Sequence, residues 1–376
     1  MTLAAAERLD DVALLETADP SGMLRQVASS AAQVREAARA AAEASLDELV
    51  AGGRPRAIVV TGMGGSGIAG EVLAAVAGPG CPVQVTTVHD YRLPGWVGAA
   101  DLVIAVSCSG ATEETLSAAA EAVRRGCRVL GVGSQGSPLA ALAEQASAPF
   151  IVVHPSGMPR SMLWGLSVPL VVAAARLGVL DMPEGAYEAA AAELERVAYL
   201  CRPDSEAFVN PAKTLALDLS GTLPMVWGSS QLTGVAAARF ACQLHENGKY
   251  PAIAGVLPEA NHNQVVVFDG PFAAGPEGME PGQRRLTEPP PVPLRLVLLR
   301  DTHEHPQVAR RREESARIAA ERGIGVTELA AAGDLPLERL ASLVTLIDYA
   351  SVYLAIANGI DPAPIAAIQE LKARIA

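Results

Sequence analysis

The order of elements along the chain constrains the fold most: a short apolar run, a loop of small residues and a helix, repeated. Ala57-Ile58-Val59-Val60 leads into Thr61-Gly62-Met63-Gly64-Gly65-Ser66-Gly67 and a helical stretch to about residue 77. Residues 83–88 form a second expected strand and 102–106 a third. Ser107-Cys108-Ser109-Gly110-Ala111-Thr112 and another helix follow, and runs at 128–132 and 150–153 complete five strands. Continuous apolar strands alternating with helices predict an α/β fold whose parallel sheet is covered on both faces. A weaker copy begins at 223–227, with Gly228-Ser229-Ser230 and a helix to Glu246, and further strands are expected at 264–268 and 294–299. The two copies predict a duplicated α/β unit. The organisation expected is N-terminal helices at 1–50, a first α/β domain carrying the phosphate-type loops at 51–200, a second at 201–340, and C-terminal helices at 341–376 packing on the active site.

Composition decides which functions remain. Half of the 376 residues are hydrophobic and only 4% aromatic, so the core is built from Ala, Val and Leu, and disorder is excluded. A net charge of −12 and few aromatic rings argue against nucleic acid and anionic membranes as partners. One small phosphate is still compatible, because backbone N–H groups can hold it. The five cysteines, Cys81, Cys108, Cys127, Cys201 and Cys242, show no CxxC spacing and read as reduced thiols of a cytoplasmic protein. The N-terminal stretch has acids within its apolar run, unlike a signal peptide. The most apolar window, 162–180, contains Pro169 and Arg176 and reads as a buried helix rather than a membrane span. The Pro- and Gly-rich stretch 270–293 reads as an exposed loop.

The first loop admits two chemistries. Gly62-x-Gly64-x-x-Gly67 between strand and helix matches a dinucleotide fingerprint, and Asp90 near the end of the second strand suits a ribose. The same loop, with Ser66 at a helix N-terminus, suits a sugar phosphate. The second loop favours the phosphate, because Ser107, Ser109 and Thr112 offer three hydroxyls beside backbone amides. His303-Glu304-His305 lacks a third ligand at recognisable spacing, and no metal site is expected there. Arg310-Arg311-Arg312 reads as a solvated helix face.

Gly-Met-Gly-Gly-Ser-Gly at 62–67 and Ser-x-Ser-Gly-x-Thr-Glu-Glu-Thr at 107–115 resemble the sugar isomerase (SIS) domain. Further segments narrow the resemblance to the bifunctional phosphoglucose/phosphomannose isomerases. They are Pro159-Arg160, His245-Glu246-Asn247-Gly248-Lys249-Tyr250-Pro251-Ala252, Pro258-Glu259-Ala260-Asn261-His262-Asn263, Asp348 to Leu354, and Glu370-Leu371-Lys372. The resemblance implies two SIS-type, flavodoxin-like parallel-sheet subdomains with flanking helices. It implies interconversion of glucose 6-phosphate or mannose 6-phosphate with fructose 6-phosphate, with no cofactor and no metal. Gly65, Ser66, Ser107, Ser109 and Thr112 would then hold the substrate, chiefly its phosphate. Arg160 would stabilise charge at the reacting carbons, Glu246 would be the base, and His262 and Lys372 would assist ring opening. A homodimer is implied, with His262 contributed across the interface.

The residue types suit that chemistry. One carboxylate can carry a proton between C2 and C1 on one face of a cis-enediolate. A fixed guanidinium stabilises the enediolate without exchanging a proton, and imidazole moves protons near neutrality. Glu246 also sits near a helix C-terminus, where a carboxylate opposes the dipole. The chain departs from the family at Ala111, where Asn is common, at Gly248, where Ala is usual, and at Ala363. A Thr at the last position is associated with rotation of the mannose epimer. The alternatives are an SIS module that binds a sugar phosphate without turnover, and an NAD(P)-dependent dehydrogenase.

Overall fold

The computed structural model describes residues 3–273 and 292–375. Five helices open the chain: α1 (Leu3–Asp10), α2 (Val12–Ala18), α3 (Met23–Ala28), α4 (Ser30–Glu43) and α5 (Asp47–Ala51). The chain divides into two compact units. One contains residues 26–195 and 334–341, and the other residues 1–25, 196–333 and 342–376.

The first unit is built on β1 (Ala57–Thr61), β2 (Gln84–Val88), β3 (Leu102–Ser107), β4 (Arg128–Gly133) and β5 (Phe150–Val152). All pairs are parallel, in the order β2-β1-β3-β4-β5. The helices between them are α6 (Ile68–Ala77), α7 (Glu113–Arg124) and α8 (Pro138–Gln145), with α9 (Leu163–Arg176) and the start of α10 (Ala186–Leu200) after the sheet. Every side chain of β1 and β3 is buried, as a central strand between two helical layers requires. In this flavodoxin-like order the direction in which strands are added to the sheet reverses between β1 and β3. The loops after those two strands therefore flank the crevice where such sheets bind ligands.

The second unit adds α11 (Pro211–Leu219), β6 (Leu223–Gly228), α12 (Gln231–Glu246), β7 (Ile253–Val256), β8 (Leu294–Arg300), α13 (Pro306–Glu321) and β9 (Gly325–Ala330). Its parallel sheet runs β7-β6-β8-β9, the same winding with one strand fewer. Trp227 stacks on Phe268 at 5.5 Å between ring centroids, inside a core that includes Met225, Leu296 and Leu298. The strand expected at 264–268 is instead a 3₁₀ helix, Gln264–Asp269. Its first side chain bonds inward: Gln264 Oε1 accepts from Trp227 Nε1 at 2.6 Å, and Gln264 Nε2 donates to the Ala254 carbonyl at 3.1 Å. Of the stretch 270–293 read as a loop, residues 274–291 lie outside the described residues.

The chain ends in α14 (Pro336–Ala357) and α15 (Ala366–Ile375). The window 162–180 yields the buried helix α9, as expected. Among the described residues, the helix long and apolar enough to cross a membrane is instead α14, of 22 residues, and 94% of its apolar window is buried inside the protein. It also carries Asp348, whose carboxylate takes two hydrogen bonds from Arg239 of α12, at 2.9 and 2.5 Å, with both residues buried. A paired charge on a buried face marks a core helix rather than one exposed to lipid.

Candidate active site

The residues singled out in the sequence fall into two sets, one on each unit. In the first unit they lie on the loops after β1 and β3 and on a 3₁₀ turn, Pro159–Ser161. The loops are joined directly: Ser66 Oγ accepts from the Cys108 amide at 3.1 Å. Ser107 is fully buried and shares a hydrogen bond with Thr112 Oγ1 at 2.9 Å. Thr112 occupies the N-cap of α7 with extended backbone, yet its side chain makes no capping bond. Its hydroxyl faces the loop, and the first amides of α7 keep donors available for an anion. Ser109 is exposed, its Oγ accepting from the Ala111 amide at 3.3 Å. The loop survives the change to Ala111 because backbone and serine hydroxyls close it.

Gly65 fixes how the third piece joins. A Cβ built there would lie 2.8 Å from the Pro159 carbonyl oxygen and 3.2 Å from the Arg160 Cα, so only glycine lets the turn come this close. Arg160 is buried. The turn that carries it is held by two glutamines that sequence reasoning passed over. Gln26 Oε1 accepts from the Met158 amide at 2.7 Å and from Ser161 Oγ at 3.0 Å. Gln33 Nε2 donates to the Ser161 carbonyl at 2.9 Å. Contacts across more than a hundred residues leave no local signal, so these two could not be found from pattern.

His89 was also missed. It follows β2, and its Nδ1 donates to the Gly62 carbonyl at 2.8 Å, while Nε2 lies 3.5 Å from Glu71. The imidazole thus braces the back of the glycine loop. Its hydrogen bond to Glu71 raises its pKa above the ordinary histidine value.

In the second unit Glu246 is the last residue of α12 and is half-buried. The middle of α12 is set against α14 by the Arg239–Asp348 pair, and just past its end Asn247 Nδ2 donates to Ser351 Oγ at 2.9 Å. Two residues of the Asp348 to Leu354 segment therefore hold α12, Asp348 at its middle and Ser351 at its end. Gly248 is more than a small change from Ala, because a Cβ there would lie 2.8 Å from the Leu244 carbonyl oxygen. His262 ends the 3₁₀ turn Glu259–His262 and is exposed. Its neighbours fix the turn: Asn261 Nδ2 donates to Ser315 Oγ at 2.7 Å and Asn263 Nδ2 to Glu259 Oε1 at 2.9 Å. Lys372 lies on α15, a helix with no buried residue. Glu246, His262 and Lys372 thus stand on three separate elements of one unit.

The loops of the second unit do not repeat the first. Ser230 Oγ donates to Asp301 Oδ2 at 2.7 Å, and the Asp301 amide donates to Ser229 Oγ at 2.8 Å. A buried carboxylate of the chain itself thus takes the hydroxyl that caps α12. His305, in the segment that could have suggested a metal, is the N-cap of α13, its Nδ1 accepting from the Gln307 amide at 3.1 Å. Glu304 pairs with Arg312 instead. Arg312 is buried, so the run Arg310 to Arg312 is not wholly a solvated face.

Two linked sheets of this winding, one with a hydroxyl-lined loop pair at its switch point, define an SIS-type sugar-phosphate fold. Residues 208–375 match the family model of the bacterial phospho-glucose isomerase C-terminal SIS domain. A hypothetical protein from Thermus thermophilus superposes with a TM-score of 0.70 at 18% identity, over 99% of this chain and 93% of that one. Similarity in sequence is more specific. The bifunctional phosphoglucose/phosphomannose isomerase of Caldicellulosiruptor bescii is 34% identical over 85% of this chain and 89% of its own length. That of Aquifex aeolicus is 30% identical over 84% and 89%. The chain belongs to the bifunctional phosphoglucose/phosphomannose isomerase family, and the dinucleotide reading of the first loop is not favoured.

Proposed function

We propose that this chain interconverts the 6-phosphates of glucose and mannose with fructose 6-phosphate. The observation that carries the reading is the pair of joined, hydroxyl-lined loops at the switch point of the first sheet, in a chain of this family. Ser107, Ser109 and Thr112, with the first amides of α7, supply donors to a phosphate without a basic patch, which fits an acidic protein. Ser66 and Gly65 line the approach.

In this reading Glu246 takes the proton from C2 and returns it at C1. Arg160 balances the charge that develops on the enediolate oxygens, and its burial strengthens that interaction. His262 and Lys372 act in ring opening. Their exposure within their own unit fits a homodimer, in which a second copy covers them and His262 serves the neighbouring site. No residue is assigned to a metal. Five free cysteines fit a reducing, cytoplasmic setting.

The test is a coupled assay on the pure protein with EDTA present. Fructose 6-phosphate should yield glucose 6-phosphate, detected through its dehydrogenase, and mannose 6-phosphate should be consumed in the reverse direction. Ala363 is buried and carries no hydroxyl, so turnover of mannose 6-phosphate should be the slower. Absence of both conversions would reject the proposal.

A further inference from the structure

Lys249 lies just beyond α12, with its backbone in the left-handed region at φ +50°. That conformation is unusual for a residue with a side chain. It turns the side chain back on the helix end. The ammonium lies 2.9 Å from the Glu246 carbonyl oxygen and 3.3 Å from that of Asn247. It also lies 3.1 Å from the Asp361 carbonyl oxygen and 3.0 Å from that of Pro362. Four acceptors around a group with three protons mean that at least one bond is shared.

Two of these oxygens are carbonyls at the end of α12, which the helix itself leaves without donors. The other two belong to the turn that leads into α15. A cation here also offsets the unfavourable placement of the Glu246 carboxylate at the negative end of a helix. Capping alone would need only the first pair of oxygens. The second pair joins the backbone of Glu246 to the segment that leads to Lys372, and Asp361 Oδ1 stiffens that turn by accepting from the Ala363 amide at 2.9 Å.

We propose that Lys249 is a positioning residue. Its ammonium clamps the backbone of Glu246 to the Asp361–Pro362 turn, and so sets the aim of the carboxylate and the start of α15 together. This rests on the reading of Glu246 as the base. A lysine suits the place because a compact ammonium with rotatable donors can serve oxygens on several sides, whereas a planar guanidinium serves a fork.

The experiment compares wild type with Lys249→Met and Lys249→Arg in the steady-state isomerase assay, and follows amide hydrogen exchange across residues 359–368. For Lys249→Met, kcat should fall about 10- to 100-fold, the penalty of a small misplacement of a reacting group. KM should stay within about threefold, since the phosphate loops are untouched. Exchange across 359–368 should quicken, and Lys249→Arg should recover part of both losses. A Lys249→Met protein with wild-type kcat and unchanged exchange would overturn the proposal. So would a loss confined to melting temperature, with kcat preserved well below it. If the wild type isomerises and Glu246→Gln does so equally well, the assignment of the base fails instead. The exchange measurement then still reports whether the clamp exists.

Discussion

After β1 and β3 of the first sheet, the chain presents Ser66, Ser107, Ser109 and Thr112, with the amides at the start of α7 behind them. After β6 and β8 of the second sheet, the same positions in the winding hold Ser229, Ser230 and Asp301. Both are hydroxyl-rich loops at a strand-to-helix junction. In the second, a capping box between Ser230 and Thr233 satisfies the helix N-terminus internally, and the Asp301 carboxylate engages the capping hydroxyl. A phosphate arriving there would meet a carboxylate already in place. The two sheets share a winding, and in the proposed reading their labour is divided: the first leaves an anion site open, while the second closes its junction and contributes Glu246 at the far end of α12.

The largest effect expected from breaking this division is at Glu246. Glu246→Gln should lower kcat by about 10²- to 10⁴-fold, the usual share of a general base, with KM little changed. The coupled assay measures it.

Next is the contrast between the loops. Removing a hydrogen bond to a charged group costs about 1.5–3 kcal/mol, so Ser107→Ala or Thr112→Ala should raise KM for fructose 6-phosphate by about 10- to 100-fold. Ser229→Ala, at the matching place in the second unit, should leave KM unchanged. Equal effects in the two units would break the comparison.

Asp301→Ala should act in the opposite sense. It leaves the Ser230 hydroxyl and the His303 amide without their carboxylate acceptor, and should lower stability by about 1–3 kcal/mol in urea unfolding while KM holds.

The smallest effect is a pH dependence at His89. Its folded pKa is raised by Glu71 and by the Gly62 carbonyl, against partial burial. The stabilisation is therefore complete below the unfolded value near 6.5, and is lost as pH rises through the higher folded value. His89→Gln should remove this slope at pH values above about 6.5, seen as a flatter melting temperature against pH. Half-exposure of the ring keeps the effect small.

How far the sequence disclosed this depends on how local each signal is. The central strands were legible because a strand buried on both faces is a continuous apolar run, as in β1 and β3. The edge strands β7 and β9 were not, because Ile253–Val256 and Gly325–Ala330 are half exposed and carry Gly, Thr and Glu among their apolar residues. The run at 264–268 was apolar enough to pass for a strand, but the inward bonds of Gln264 coil it. The hydroxyls of the loops after β1 and β3 were legible as candidates through their place between strand and helix. Their supports were not: Gln26, Gln33 and His89 act across long separations and belong to no motif. Lys249 stood inside a recognised segment, yet its role depends on the Asp361–Pro362 turn more than a hundred residues away.

The division between an open and a closed anion site is tested most directly by the structure of the wild-type protein with fructose 6-phosphate. The account predicts the phosphate against Ser107, Ser109, Thr112 and the first amides of α7, with the Ser229–Ser230–Asp301 junction unchanged. A phosphate bound at that second junction, with the first loops empty, would contradict it.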